Sequence, residues 1–299
     1  ESDQGMHKGI ATGGLWGNQT LRVENLHLEN MREGVYTSHE SKVWSLLEVR
    51  DCSFNGSYLD IASIGDGGTV RLNNCTFQNS TTEGIFCATW DQAEVEIKGC
   101  TFTRSNNIYS TKAINLSGIQ NAHIENCNFF QSTTGISMAY CGPTLIKNCL
   151  FDNQRNVALS APVSSIVSIE SCQFKNQAIA LKTSTSDVQI EMVDSVIEPV
   201  EDCSFRISTI ASLSVHNCDL AKGENGVVNI LNNPNCPNNV HLDMANNYWG
   251  TVEPDSIDAW IHDRYDTDDV CYWVDYEPFE AVSTPTEKPS LGGFKAMFR

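Results

Sequence analysis

Cysteine offers the most reactive chemistry in this chain: twelve occur in 299 residues, enough for a disulfide framework or a thiolate metal site. Their spacing points elsewhere. Cys52, Cys75, Cys100, Cys127, Cys149, Cys172 and Cys218 recur with a period of 22 to 27 residues once a Ser at 195 is allowed to stand in the series. That is the mark of a repeat, and free Cys is among the most buried residue types, so these seven are expected as small apolar residues of a core. Of the other five, Cys87 falls on an inward strand position. The pairing of Cys141, Cys203, Cys236 and Cys271 stays open.

Carboxylates are the next candidates. Residues 251–280 hold ten Asp and Glu against one Arg, among them Asp263, Asp266, Asp268 and Asp269. Such an oxygen-rich cluster suits Ca²⁺, although it lacks the ordered spacing of a calcium loop, and a solvated acidic turn is the competing reading. The seven His have no paired spacing for zinc. Trp44, Trp90 and Tyr140 fall in loops two repeats apart, about 10 Å at the strand spacing, where they form a candidate stacking platform for a polysaccharide. Calcium is the one candidate cofactor, and no catalytic residue is assigned.

What positions these residues is a tenfold repeat of the pattern apolar, x, apolar, x, turn-former, usually Cys, x, large apolar. Its clearest copy is Val70-Arg71-Leu72-Asn73-Asn74-Cys75-Thr76-Phe77. The Cys position is also filled by Leu26, Ser195 and Asn247. The turn position reads Asn25, Asp51, Asn74, Gly99, Asn126, Asn148, Ser171, Asp194, Asn217 and Asn246, all turn-favouring types, several of which tolerate left-handed backbone. A further inward pair follows each copy, for example Ile85 and Cys87 or Phe205 and Ile207. Three short strands in each 22 to 25 residues describe an all-β parallel β-helix of about ten coils, roughly 45 Å long.

The ends depart from this rhythm. Pro254, Ile257, Trp260 and Ile261 predict a short C-terminal capping helix within 253–264. The chain thus divides into an N-terminal lead-in (1–20), the β-helix (21–252), a C-terminal cap (253–282) and a linker and tail (283–299). The lead-in carries no capping helix, which makes end-to-end self-association through the coil ends and tail an expectation. A net charge of −18 argues against nucleic acid as a partner. No apolar run approaches the roughly 18 residues of a membrane-spanning helix.

These repeats resemble the right-handed parallel β-helix proteins of the pectin-lyase-like superfamily. The closing Asn246-Asn247-Tyr248-Trp249-Gly250 is similar to the C-terminal end of many secreted, non-enzymatic-looking members. The resemblance covers about residues 20 to 280 and implies an extracellular or cell-surface location. It also implies that a catalytic groove would run beside the third strand, where the outward residues are read as Asp60, Phe86, Asn115, Ser137, Ala158, Ala180, Arg206 and Asn229. Asp60 and Arg206 alone are ionisable and stand about 29 Å apart, too far for paired catalysis. The expected function is structural or adhesive, with self-assembly and polysaccharide binding. The alternative is a polysaccharide lyase or hydrolase whose site is built from loops such as 103–112, with Arg104, Tyr109 and Lys112.

Overall fold

The computed structural model describes residues 8–13, 20–39, 46–65, 67–104, 111–185, 187–198, 200–231, 240–266, 270 and 272–282. They form a right-handed parallel β-helix. Strands such as Gly68–Asn73 precede each turn and build a first ladder, three-residue strands such as Thr76–Gln78 build the second, and strands such as Leu59–Gly65 build the third. The second ladder is a separate nine-stranded sheet. The first and third merge into one 20-stranded sheet, because Glu83–Lys98 and Lys112–Glu125 run without a break from the third ladder into the first. Nine coils hold all three strands, slightly fewer than the ten repeats, since the last repeat keeps only the bridge from Asp219 to Tyr248 in the second ladder.

The coil is closed by backbone that the sequence made legible. All ten turn residues have positive φ, between 51° at Asp51 and 63° at Gly99. A second left-handed column, five residues after the turn residue, comprises Asn30, Gly56, Asn79, Gln131, Asn153 and Asn176. Gly56 there carries φ +71°, and a Cβ on it would come within 2.6 Å of the Asn30 side chain.

Inside, like residues stack. Phe54, Phe77, Phe102, Phe129, Phe151 and Phe174 lie face to face with centroids 4.6 to 5.1 Å apart and planes within 6°. The Cys position is more than a small apolar site. Cys75 Sγ donates to Asn73 O at 3.3 Å, Ser195 Oγ to Val193 O at 2.9 Å, and Asn247 Nδ2 to Ala245 O at 3.3 Å. Each reaches back across the left-handed turn to the carbonyl two residues earlier, so the position selects a small side chain with a donor. Gln154 and Gln177 do the same at the next corner, donating to Asp152 O and Lys175 O. Leu26, placed by its spacing in this column, is 41% exposed and does not join the internal stack. It stands beside His27–Glu29, the terminal strand of the second ladder among the described residues.

The ladder begins earlier than the lead-in boundary, since Lys8–Gly13 pairs with Glu33–His39. At the other end the helix is a single turn, Pro254–Asp258, which buries Ile257. Ile261 then starts a strand that continues the third ladder, and Tyr272–Asp275 continues the first. Outward charges on the first ladder pair between rungs as their alternating signs suggest: Arg22 with Glu48 at 2.9 Å, Arg71 with Glu96 at 3.2 Å, and Lys147 with Glu170 at 2.6 Å.

Candidate functional site

The outward face of the third ladder differs from the sequence expectation in its register. Ile61 pairs with Ile85, Leu159 with Ile136, and Leu181 with Phe205. In three coils the inward pair is therefore displaced by two residues from the pair Leu59/Ile61, Val157/Leu159 or Ile179/Leu181. A strand's side-chain period is two, so a slip of two keeps every inward residue inward and leaves no trace in the hydrophobic pattern. By register the outward column is Tyr36, Ala62, Phe86, Asn115, Ser137, Ser160, Lys182, Arg206, Asn229 and His262, of which Ala62 and Ser137 are themselves buried. Asp60, Ala158 and Ala180 are fully buried. They share a column with Gly34, Gly84 and Gly135, where space is short: a Cβ on Gly34 would meet Asp60 O at 2.6 Å.

This correction brings cationic residues together. Lys182 and Arg206 stand on neighbouring rungs, followed by Asn229 and His262, each step being about 4.8 Å. Arg206 is clamped by Asp202, which also accepts from Asn225 Nδ2 at 2.7 Å. Lys182 has no ion-pair partner among the described residues. Asn225 and His262 also line an open cleft of about 370 Å³ at the C-terminal end of the face, together with Lys222, Trp260 and Asp266. Lys222 Nζ lies 5.5 Å from the centre of the Trp260 ring. The arrangement is a polar strip in which Lys182 is the cation left unpaired among the described residues, ending in a cleft of mixed charge, with Lys222, Glu224 and Asp266, and an aromatic wall.

A second group of ionisable residues lies toward the other end of the rod. Asp60 accepts from Ser80 Oγ, and burial pushes its carboxyl up to about 7. Arg104 is 5% exposed, and burial pulls its guanidinium down to about 10 against the attraction of Asp60 and Glu83. Glu83 Oε1 accepts from Asn115 Nδ2 at 2.7 Å, and Lys112 Nζ donates to Asn115 Oδ1 at 3.2 Å. Arg104 and Lys112 were expected in a loop site; Lys112 instead begins a strand, and Tyr109 lies outside the described residues.

The remaining candidates divide as follows. Trp44 lies outside the described residues, as does the side chain of Trp90, whose backbone belongs to the strand Glu83–Lys98 and not to a loop. Tyr140 is 63% exposed, at a left-handed corner just after Thr134–Ala139. Asp263 is buried, and its carboxylate accepts from Tyr265 N and Val274 N, each at 2.8 Å. Asp266 accepts from Asp263 N at 3.2 Å and faces His262. Asp268 and Asp269 lie outside the described residues. The two Asp carboxylates that are described thus serve the turn's own backbone.

Fold and repeat together define the chain as a parallel β-helix protein. Residues 3–168, more than half of the chain, match the family described as periplasmic copper-binding protein (NosD), and the chain belongs to that family. Its periplasmic character agrees with placement outside the cytoplasm, and among the described residues no helix is long and apolar enough to cross a membrane. No curated protein and no solved structure matches the chain.

Among the described residues the copper of that description finds no fit. Among the described residues no three His, Cys, Asp or Glu are grouped to hold a metal ion. The ten described cysteines are free thiols and all buried. Burial pushes the thiols of Cys87, Cys141 and Cys218 up, to about 12, 11 and 12, whereas a metal needs the thiolate. The S–H groups of the cysteines in the repeated position are engaged by backbone carbonyls, as in Cys149 Sγ to Lys147 O at 3.3 Å.

Proposed function

We propose that the chain is an extracytoplasmic β-helix that binds an extended acidic polysaccharide along the outward face of its third ladder and holds it without cleaving it. The observation that carries this reading is Lys182 beside Arg206 on adjacent rungs, leading through Asn229 to His262 and the Trp260 cleft. A rung spacing of about 4.8 Å is close to the rise of one sugar in an extended glycan, so successive rungs meet successive sugars. Carboxylates of uronate residues are matched by the ammonium of Lys182, while Arg206, its charge balanced by Asp202, adds N–H donors beside it. The net charge of −18 holds polyanions off the rest of the surface, which confines binding to this strip. Tyr140 supplies an exposed ring at the corner that follows the strand Thr134–Ala139 of the same ladder. Retention of the protein on immobilised uronate polymers, and not on neutral ones, is the expected result of a polysaccharide screen. Elution in the void on every polymer would end this reading, and release of unsaturated or reducing ends would replace it with the enzymatic alternative.

Adhesive self-assembly is a second reading, favoured by Leu26 at 41% exposure and by Ile10, Leu21 and Leu28, which are only partly buried at the same end. An apolar coil end of this kind is covered when a second copy stacks on it. Light scattering at rising protein concentration tests it, growth in mass supporting stacking and a constant monomer mass opposing it.

A further inference from the structure

One corner of the rod encloses four buried polar atoms with no hydrogen-bond partner among the described residues: Ser57 Oγ, Asp60 Oδ1, Arg104 Nε and Arg104 Nη2. Ser57 and Asp60 are fully buried and Arg104 nearly so. Groups of this kind are paired in folded proteins by protein or by water. Here donors and acceptors occur together, which is what a bridging water requires, accepting from Arg104 and donating to Asp60 and Ser57. The groups that face Asp60 are Ser57, Ser80 and the Arg104 guanidinium; Glu83 feels the charges of both Arg104 and Lys112, and Gly34 and Gly84 contribute backbone alone.

We propose that this corner is an enclosed hydration and protonation site: water bridges Ser57, Asp60 and Arg104, and Asp60 takes up a proton there as the medium turns from alkaline to acidic, tightening the coils around it. Burial, the largest influence on this carboxyl, raises it from 3.8 to about 7 in spite of Ser80, Ser57 and Arg104, which act in the opposite sense. A group raised in this way binds its proton more tightly in the folded chain. Its contribution to stability is complete below pH 3.8 and is lost as the pH rises through about 7.

The test is hydrogen exchange on the full chain at pH 5 and pH 9, corrected for intrinsic rates, in the wild type and in Asp60→Asn, which mimics the protonated acid. Amides of Leu59–Gly65 and Glu83–Lys98 should lose protection on the order of 100-fold in the wild type, from the two pH units between 5 and about 7, and keep it in the variant. The same pH dependence in both proteins overturns the protonation half. Should Asp60→Asn fail to fold, the ¹³C signal of the wild-type Asp60 carboxyl decides: a midpoint near 7 supports the site, and one below about 5 overturns it. A high-resolution crystal structure with Asp60 paired directly to Arg104, and no water between them, overturns the hydration half.

Discussion

Replacing Cys127 by Ser and, separately, by Ala distinguishes a packing role from a hydrogen-bonding role for the internal thiol ladder. Cys127 is fully buried between Cys100 and Cys149, and its Sγ lies 3.3 Å from Glu125 O and 3.6 Å from Ile97 O. If the position needs only a small apolar group, Ser buries a hydroxyl for no return and should be less stable than Ala by about 1–3 kcal/mol. If it needs a donor, Ser keeps the bond that Ser195 makes at 2.9 Å in the same column, and Ala forfeits it. One such bond contributes about 0.5–1.5 kcal/mol net, and the Glu125 carbonyl, which also accepts from Gly99 N, keeps a partner in either case. Ser is therefore expected to be more stable than Ala by about 1 kcal/mol. Urea unfolding followed by tryptophan fluorescence, with the slope held common to both variants, resolves that difference. An Ala variant more stable than the Ser variant would refute the donor reading.

Three further outcomes follow from the packing. Phe129→Ala removes the middle of the aromatic stack, with neighbours at 5.0 and 4.6 Å, and should cost about 3–5 kcal/mol in the same unfolding measurement. A thiol reagent should leave the ten described cysteines unmodified in the native protein and reach them after denaturation, and fast native labelling of Cys75 or Cys149, mapped by mass spectrometry, would contradict their burial. Asp263→Ala strips acceptors from Val274 N and Tyr265 N and should lower stability by about 1–3 kcal/mol, whereas Ca²⁺ or EDTA should leave the wild-type melting temperature unmoved.

The fold was legible because its code is local and repeated. Ten turn residues of a few types mark one corner, the Phe column marks the next strand, and each copy corrects the reading of the others. The third ladder was harder. Leu59, Val157 and Ile179 are apolar residues just before the true inward pair, and alternation cannot separate a strand from itself displaced by two. Only the pairing of Leu181 with Phe205 places Lys182 beside Arg206. Asp60 has the alternation of an outward carboxylate for the same reason, yet it occupies the small-residue column shared with Gly34 and Gly84 and is fully buried. The second corner carried a signal that could have been used, an Asn or Gly four residues after the Cys position in Asn30, Gly56, Asn79, Asn153 and Asn176. No sequence pattern announces the Trp260 cleft, which forms only where the last coil meets its cap.

If the strip around Lys182 on the third ladder holds an acidic glycan, calorimetric titration with a uronate hexamer will register it. Lys182→Gln is the clean variant, because Lys182 is partly exposed and has no ion-pair partner among the described residues. Wild type should bind with an affinity that falls as salt rises, and Lys182→Gln should bind about tenfold more weakly with a shallower salt dependence, the loss of one charged hydrogen bond. Equal affinity in the two proteins, or no heat with the wild type at low salt, would contradict it.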